Sequence, residues 1–360
     1  MKDQKEKLLA TTKSLVHNKD LFAELREMIL QARREVAQRV NSALVILYWN
    51  IGSRIRRDIL KEKRAEYGKE IVSSLGRQLS EEFGSGYSEK NLWHMLRFAE
   101  VFPKEEIVYA LSRELSWTHF RRIIYLEDSL KREFYAEMCR IERWSTRTLE
   151  KKISSMLFER TALSKKPKEL ASQELAQLRE EDKLTPDLVF RDPYFLDFLG
   201  LRDTYSEKDL ETAILRELER FILELGVGFT FVARQKRITV DNEDYYLDLL
   251  FYHRKLRRLV AIDLKLGKFQ AADKGQMELY LRWLEKYEKQ PEEETPIGLI
   301  LCATKSEEHV KLLQLDKSGI RVAEYLTELP PRKLLQRKLH EAILLAQTYF
   351  REKNREPESS

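Results

Sequence analysis

Three charged residues lie in two apolar runs that a short polar turn separates. Asp248 lies in "YYLDLLFYH", and Asp263 and Lys265 lie in "RLVAIDLKLGK". Burying an unpaired carboxylate is costly, so such residues persist where a partner, a metal ion or a reaction offsets the cost. Side chains two positions apart on a strand share a face, which places Asp263 and Lys265 together. The runs predict antiparallel strands joined by "RKLR", and this hairpin would bring Asp248 beside Asp263.

Two carboxylates that converge in a partly dry site repel each other unless a cation lies between them. Oxygen ligands without His or Cys favour Mg²⁺ or Mn²⁺, which keep waters and room for a substrate phosphate. A nearby lysine can orient a metal-bound water and stabilise the negative charge that develops during attack. This combination predicts hydrolysis of a phosphodiester. The residues alone leave an alternative open, in which Asp263 and Lys265 form a surface ion pair and Asp248 accepts backbone hydrogen bonds at a bulge.

The elements around this hairpin predict an α/β sandwich. Ser206 can cap an amphipathic helix in "SEKDLETAILRELERFILEL", and "GVGFTFVARQKRITV" becomes strand-like after two glycines. A helix in "AADKGQMELYLRWLEKYE" and an apolar strand in "TPIGLILCATKS" follow the hairpin, and residues 331–350 form a closing helix. The order helix, strand, strand, strand, helix, strand predicts a central sheet flanked by helices.

The N-terminal half shows helical periodicity and few helix breakers. Residues 21–60 carry apolar side chains at three- and four-residue spacing, typical of a long helix, with Gly52 as a candidate break. "YGKEIVSSLGRQLSEEF", the turn "GSGYS" and a helix that Ser88 could cap resemble a helix-turn-helix. Many helical hairpins share this turn chemistry without binding DNA. A third interpretation is a homodimer, in which residues 21–60 pack against a second copy.

The sequence therefore predicts an α+β multidomain protein. The predicted parts are an all-α domain over residues 1–165 for nucleic-acid binding or dimerisation, a linker over 166–192, the sandwich over 193–350 and a polar tail over 351–360.

Basic charge is concentrated in the helical half. The chain carries 65 Lys and Arg against 60 Asp and Glu, a formal charge of +5, whereas residues 113–168 carry 14 against 8, a net +6. Basic residues there, which include Arg140 and Arg160, alternate with aromatic residues such as Phe120, Trp144 and Phe158. This favours a polyanion-binding face, although a solvated surface over an aromatic core fits equally well. The predicted nucleic-acid contacts are Arg121, Arg122, Arg143, Arg147 and Lys151, with Arg234 and Gln235 near the hairpin.

Composition favours a cytoplasmic protein without a membrane partner. No apolar run reaches the roughly 18 residues of a membrane span, and the charged start "MKDQKEKLLATTKS" lacks the apolar core of a secretory signal. Cys139 and Cys302 form no CxxC or Cys/His cluster, which fits a reducing compartment. His94 and His253 are isolated histidines, and we predict no metal at either.

The wider chain resembles a known family. Asp248, followed fifteen residues later by Asp263-Leu264-Lys265, looks like the PD-(D/E)xK nuclease superfamily. The segments "DPYFLDFLGL", "YSEKDLE", "LELGVGFTFVARQ" and "IGLILC" more closely resemble the bacterial YhcG-like family of uncharacterised nucleases. The segments "LVILYWNIGSRI" and "LSWTHFRRII" extend this likeness to about residues 20–345.

The resemblance implies a restriction-endonuclease-like fold and a nuclease that acts on DNA in preference to RNA. It implies that Asp248 and Asp263 hold Mg²⁺ or Mn²⁺ and that Lys265 is the catalytic lysine. Two departures bear on this: Leu247 replaces the proline of the superfamily's name, and Asp263 stands where a longer glutamate is commoner. The alternative function is a nucleic-acid-binding or assembly protein with little or no turnover.

Some superfamily members add further site residues on the flanking helices. For a glutamate of the first helix, Glu211 is the candidate and Glu217 the alternative. For a glutamine on the helix after the lysine, Gln276 is the candidate, with Tyr280 four residues on and therefore on the same face. Helical spacing alone favours a structural role for Gln276 and Tyr280.

Overall fold

The protein divides into two compact units, Met1–Glu150 and Lys151–Ser360. The computed structural model describes residues 2–62, 65–201 and 204–353, with the side chains of residues 24–58, 68–201, 204–315 and 317–348. Residues 354–360 of the predicted tail lie outside the described residues. The boundary predicted at residue 165 falls inside the second unit.

The described part of the first unit is helical, as predicted. Its helices are α1 (Lys2–Glu62), α2 (Ala65–Phe83), α3 (Glu89–Val101), α4 (Glu105–Ser112), α5 (Trp117–Ile123), α6 (Ser129–Glu142) and α7 (Thr146–Ser154), of which α7 continues into the second unit. Aromatic rings fill the core of this unit, where Phe98 and Phe120 pack at a tilt of 43° with their centroids 4.5 Å apart. The basic segment therefore surrounds an aromatic interior.

The break predicted at Gly52 is wrong. Helix α1 continues through this residue, which lies directly against the backbone of α3. A Cβ at position 52 would be 2.0 Å from the carbonyl oxygen of Met95, so only glycine permits the two helices to approach this closely.

The turn between α2 and α3 is present, but its capping differs from the prediction. Gly84 adopts a φ of 90°, in the region that favours glycine. Ser88 occupies the N-cap position of α3, yet its side chain makes no capping hydrogen bond there. The predicted Ser88 cap is therefore wrong, while Glu89 remains in the first helical turn, where its charge is favourable.

The segment predicted as a linker is folded. The second unit continues with α8 (Leu157–Arg160), α9 (Lys168–Glu181) and α10 (Pro186–Val189). Ala171, Leu175 and Leu178 of α9 are buried at helical spacing. The abundance of polar residues in this segment hid that short apolar stripe.

A mixed sheet forms the centre of the second unit. Its strands are β1 (Tyr194–Phe195), β2 (Phe229–Val240), β3 (Glu243–His253), β4 (Arg258–Lys268), β5 (Ile297–Thr304) and β6 (Ile320–Leu326), in the order β1-β6-β5-β4-β3-β2. Strands β2, β3 and β4 are antiparallel neighbours, and β4, β5, β6 and β1 are parallel neighbours. The predicted β3–β4 hairpin is confirmed, and β1 and β6 were not predicted.

Helices cover both faces of this sheet. They are α11 (Glu207–Arg216), α12 (Leu218–Leu225), α13 (Ala271–Tyr287), α14 (Glu307–Leu312) and α15 (Arg332–Lys353). Leu250 belongs to the same buried cluster as Met277 of α13, while its neighbour Phe251 lies against Phe221 of α12. Adjacent strand residues point to opposite faces, so α13 and α12 lie on opposite sides. The predicted restriction-endonuclease-like sandwich is confirmed.

The predicted cap of α11 is also confirmed. Ser206 Oγ accepts a hydrogen bond from the backbone N–H of Asp209, and the Asp209 carboxylate accepts one from the backbone N–H of Ser206. This reciprocal capping box sets where α11 begins, and hence where its first glutamates lie. Among the described residues, none of the helices is sufficiently long and apolar to span a bilayer.

Candidate active site

Strands β3 and β4 separate at the point where the two aspartates lie. Their paired register ends at Leu249 and Ile262, and one further step would place Asp248 opposite Asp263. Beyond that point the backbone N–H of Leu264 donates to Asp248 Oδ2 at 2.8 Å instead of to a strand carbonyl. The carboxylate therefore occupies the gap that the diverging strands open. Asp248 does accept a backbone hydrogen bond, as the alternative interpretation expected, and it also faces Asp263.

Asp263 and Lys265 form an ion pair inside this gap. Asp263 Oδ2 lies 2.9 Å from Lys265 Nζ, with only 3% of the Asp263 side chain exposed. Burial raises the pKa of Asp263 to about 7, and the charges of Asp248 and Asp273 add to this, whereas Lys265 opposes it. Burial disfavours the charged form of Lys265, but its carboxylate neighbours, chiefly Asp263, outweigh burial and raise its pKa. The surface ion pair considered for these residues is wrong.

Asp248 is also perturbed by its surroundings. Burial raises the pKa of its carboxyl group, and the charge of Glu207 adds to this effect. Hydrogen bonds from Leu264 and Gln235 and the charge of Lys265 oppose the rise. Two neighbouring carboxyl groups with raised pKa values are typical of a site short of positive charge.

Helix α13 places Gln276 and Tyr280 behind the lysine. Lys265 Nζ lies 3.4 Å from Gln276 Oε1, and Gln276 Nε2 is 2.6 Å from the hydroxyl of Tyr280. That hydroxyl donates to the carbonyl oxygen of Tyr246 at 3.0 Å. The chain of contacts ties the lysine to α13 and β3, so these two residues support its position.

Three glutamates lie on or at the end of α11, and two of them reach the candidate site. Glu211 Oε2 accepts a hydrogen bond from Gln235 Nε2 at 2.8 Å, and the same amide donates to Asp248. Glu217 lies at the junction of α11 and α12, where it contacts Arg220 at 3.4 Å, and the structure does not bring it to the site. Glu207, which we did not predict, accepts from the backbone N–H of Leu266 at 3.3 Å. Residues four apart share a helix face, so the spacing of Glu207 and Glu211 could have predicted that both approach the site.

The two predicted contacts on β2 have different surroundings. Arg234 is exposed on this edge strand. Gln235 is exposed as well, but its side chain amide is directed to the two carboxylates of Asp248 and Glu211 at the edge of the site.

The chemistry of these donors fits a hard divalent ion. Mg²⁺ is typically held by one or two carboxylates and keeps several waters, and Asp248 and Asp263 supply two. Within the described ranges, no group of three or more His, Cys, Asp or Glu side chains is placed to hold an ion. Waters and substrate oxygens would therefore complete the coordination. A cation would also favour the charged form of both carboxyl groups, whose pKa values burial raises.

Comparison with known proteins covers both units. Residues 24–160 match the DUF1016 N-terminal domain, and residues 187–340 match the YhcG PDDEXK nuclease domain. The chain is 34% identical to "Putative nuclease YhcG" of Escherichia coli (strain K12), over 86% of this chain and 90% of that protein. The chain belongs to the YhcG family. The resemblance stated from the sequence is thereby confirmed.

Solved structures resemble a smaller part of this YhcG-family chain. A repair endonuclease from Pyrococcus abyssi is 24% identical over 36% of this chain and 50% of its own, with a TM-score of 0.25. The EndoMS–dsDNA2 complex is 16% identical over 36% of this chain and 49% of its own, with a TM-score of 0.27. The chain spans about half the length of these two proteins.

The predicted nucleic-acid contacts of the helical half are exposed. Arg121, Arg122, Arg143, Arg147 and Lys151 all lie at the surface, where Arg122 is 3.3 Å from Glu150 and Arg143 is 3.9 Å from Glu114. Exposed pairs of this kind are weak, so the arginines remain available to phosphates.

Several other residues of the basic segment do not lie at the surface. Arg160 is buried and pairs with Glu224, while Arg140 pairs with buried Glu137. The aromatic residues Phe120, Trp144 and Phe158 are buried in the core. These three rings therefore belong to the aromatic core that the second interpretation of this segment expected.

Proposed function

We propose that this YhcG-family chain is a metal-dependent nuclease that hydrolyses phosphodiester bonds in DNA. The observation that carries the proposal is the convergence of Asp248, Asp263 and Lys265 where β3 and β4 diverge. Asp248 and Asp263 would hold Mg²⁺ or Mn²⁺. When bound, such an ion lowers the pKa of a coordinated water and offsets charge on the phosphate.

Lys265 would act as a hydrogen-bond donor in this reaction. Its raised pKa keeps the amine protonated at neutral pH, so it cannot accept a proton from the attacking water. It can orient that water through the water's oxygen and stabilise the negative charge that develops on the phosphate. Gln276, tied to Tyr280, would keep the ammonium group directed into the site.

A nucleic acid as the substrate rests on the exposed arginines of the helical unit, and DNA in preference to RNA rests on the family resemblance. Arg121, Arg122, Arg143 and Arg147 offer positive charge to a phosphate backbone. We further propose a cytoplasmic location, which accords with the two free, buried cysteines, Cys139 and Cys302.

Cleavage assays test this proposal directly. We expect the purified chain to cut plasmid, linear, branched or single-stranded DNA in the presence of Mg²⁺ or Mn²⁺ and not in EDTA. Asp263→Ala and Lys265→Ala should each lower the rate by about 100-fold or more. Lys274→Ala is the matched control, because Lys274 pairs with Glu278 on the same helix as Gln276 and should leave the rate unchanged. Cleavage that survives both site substitutions contradicts the proposal.

A second candidate is a nucleic-acid-binding or assembly protein with little turnover. The observation that favours it is Asp263 itself, whose short side chain is engaged by Lys265 and whose raised pKa leaves part of it protonated at neutral pH. Salt-dependent DNA binding without metal-dependent cleavage of any of these substrates would select this candidate.

We also propose that α1 joins two copies of the chain. An apolar stripe with alternating spacings of four and seven residues remains 41–62% exposed on this helix, and it consists of Leu25, Ile29, Val36, Val40 and Leu47. At about 1.5 Å per residue it extends roughly 33 Å, long enough for a helix pair. Light scattering of the full chain should show a dimer that Ile29→Glu with Val36→Glu converts to monomer. Leu312→Glu, at another exposed leucine, should leave the dimer intact, and a monomeric wild-type chain contradicts the proposal.

A further inference from the structure

Gln235 adopts a backbone conformation that is unusual for its residue type. Its φ is +44°, in the left-handed region, although it lies within strand β2. For a residue other than glycine this region costs on the order of 1–2 kcal/mol. The flanking residues Arg234 and Lys236 pair with Leu249 and Leu247, so Gln235 lies across from Asp248. An unfavourable backbone at this position points to a use for the side chain.

The side chain of Gln235 connects two carboxylates. Its Nε2 donates to Asp248 Oδ1 at 3.0 Å and to Glu211 Oε2 at 2.8 Å. One amide nitrogen carries two hydrogens, which suffices for both bonds. The opposite amide orientation would place the carbonyl oxygen against two negative groups and is excluded by repulsion.

These contacts orient Asp248 through both of its oxygens. Gln235 holds Oδ1, and the backbone N–H of Leu264 holds Oδ2. The plane of the carboxylate is therefore set by β2 on one side and by β4 on the other. Each oxygen retains a lone pair that can face the gap between β3 and β4.

The side-chain amide of Gln235 is uncharged, and this affects how the neighbouring carboxylates can bind a metal ion. A lysine or arginine at position 235 would bring its own cation to the carboxylates and compete with a metal ion. A glutamate would add a third negative charge and increase the repulsion. Glutamine donates two hydrogen bonds without changing the net charge of the site.

We propose that Gln235 is a positioning residue: anchored by Glu211, it orients Asp248 so that Asp248 and Asp263 can hold the divalent ion, and it touches neither the ion nor DNA. This inference rests on the proposed nuclease function. It replaces the sequence-based prediction of Gln235 as a nucleic-acid contact. Groups that orient metal ligands change metal affinity by about 10–100-fold when they are removed.

The test measures Mn²⁺ binding by titration calorimetry on the full chain without DNA. We expect Gln235→Leu and Gln235→Gly to bind Mn²⁺ about 10–100-fold more weakly than wild type. The glycine variant separates this role from folding, because glycine relieves the backbone strain while it removes the amide. Its thermal unfolding temperature should match or exceed that of wild type. Gln235→Asn keeps an amide and tolerates the left-handed region, so it should recover part of the affinity.

Arg234→Ala provides the matched control on the same strand. If Arg234 contacts DNA, Arg234→Ala should raise KM for DNA without changing Mn²⁺ affinity. The Gln235 variants should instead lower kcat with KM unchanged. Mn²⁺ affinity equal to wild type in both Gln235→Leu and Gln235→Gly overturns the inference, and so does a defect confined to KM. A wild-type chain that binds no Mn²⁺ and cuts no DNA instead overturns the proposed function on which the inference rests.

Discussion

Replacing Asp263 by asparagine should abolish nuclease activity and yet stabilise the second unit at neutral pH. Asparagine resembles the protonated aspartic acid in shape and carries no charge. The pKa of Asp263 is raised to about 7 from an ordinary 3.8, by burial first and then by the charges of Asp248 and Asp273. The folded chain therefore retains a proton that the unfolded chain releases between about pH 4 and pH 7. Stability contributed by this group falls as pH rises through that interval and is lost above it.

The size of the effect follows from the two pKa values. The pKa difference between 3.8 and about 7, at about 1.4 kcal/mol per pH unit, means that ionised Asp263 lowers the free energy of unfolding by roughly 4 kcal/mol above pH 7. The substitution also removes the partner of Lys265, which is 21% exposed and can hydrate in compensation. We therefore expect a net gain of about 3 kcal/mol at pH 8, or about 6–12 °C in Tm for a unit of this size.

Thermal unfolding in EDTA at pH 5 and pH 8 measures this gain. Asp263→Asn should unfold at a higher temperature than wild type at pH 8, and the difference should be much smaller at pH 5, where the folded wild-type chain keeps its proton and only part of the interval from 3.8 to about 7 has been crossed. Saturating Mg²⁺ should stabilise wild type, by about 2.7 kcal/mol at 100 times its Kd, and leave the variant unchanged. Glu292→Gln, at an exposed carboxylate, serves as the control and should shift neither curve. Equal Tm values for Asp263→Asn and wild type at pH 8 would refute the electrostatic reasoning.

Two further substitutions test the packing of each unit. Gly52→Ala should destabilise the helical unit by about 3 kcal/mol or more, because the new methyl group meets a backbone carbonyl of α3 at 2.0 Å. Gly275→Ala, in open space on α13, is the control and should be neutral or stabilising by up to about 1 kcal/mol. Urea unfolding of both variants measures the two changes in stability. Burial disfavours the charged form of Glu224, but Arg160 and Arg191 outweigh burial and lower its pKa. Glu224→Gln should therefore cost about 3–5 kcal/mol at pH 7 and progressively less as pH falls below about 4, and a loss that does not depend on pH would count against this ion pair.

The order of the sandwich elements could be predicted because it depends on local patterns. Apolar strands and the capping box of Ser206 and Asp209 are readable within a few residues. Strand β1 has two residues, which is too few for alternation to be recognised, and in β6 the charged residues Arg321 and Glu324 interrupt the apolar pattern. The break predicted at Gly52 was wrong because glycine occurs both at helix ends and where two helices pack closely, and the sequence does not distinguish the two cases.

By itself the sequence determined that Asp263 and Lys265 share a strand face and that a hairpin places Asp248 next to them. These are consequences of period-two alternation and of a short turn, which involve only neighbouring residues. Only the tertiary structure decided that Arg160 is buried while Arg121 is exposed, and that Glu211 rather than Glu217 reaches the site. It also showed that Gln235, which we predicted as a phosphate contact, hydrogen-bonds two carboxylates. The physical reason is that residue spacing sets the directions of side chains within one helix or strand. How elements distant in sequence pack decides where two strands diverge and which side chain enters the gap between them.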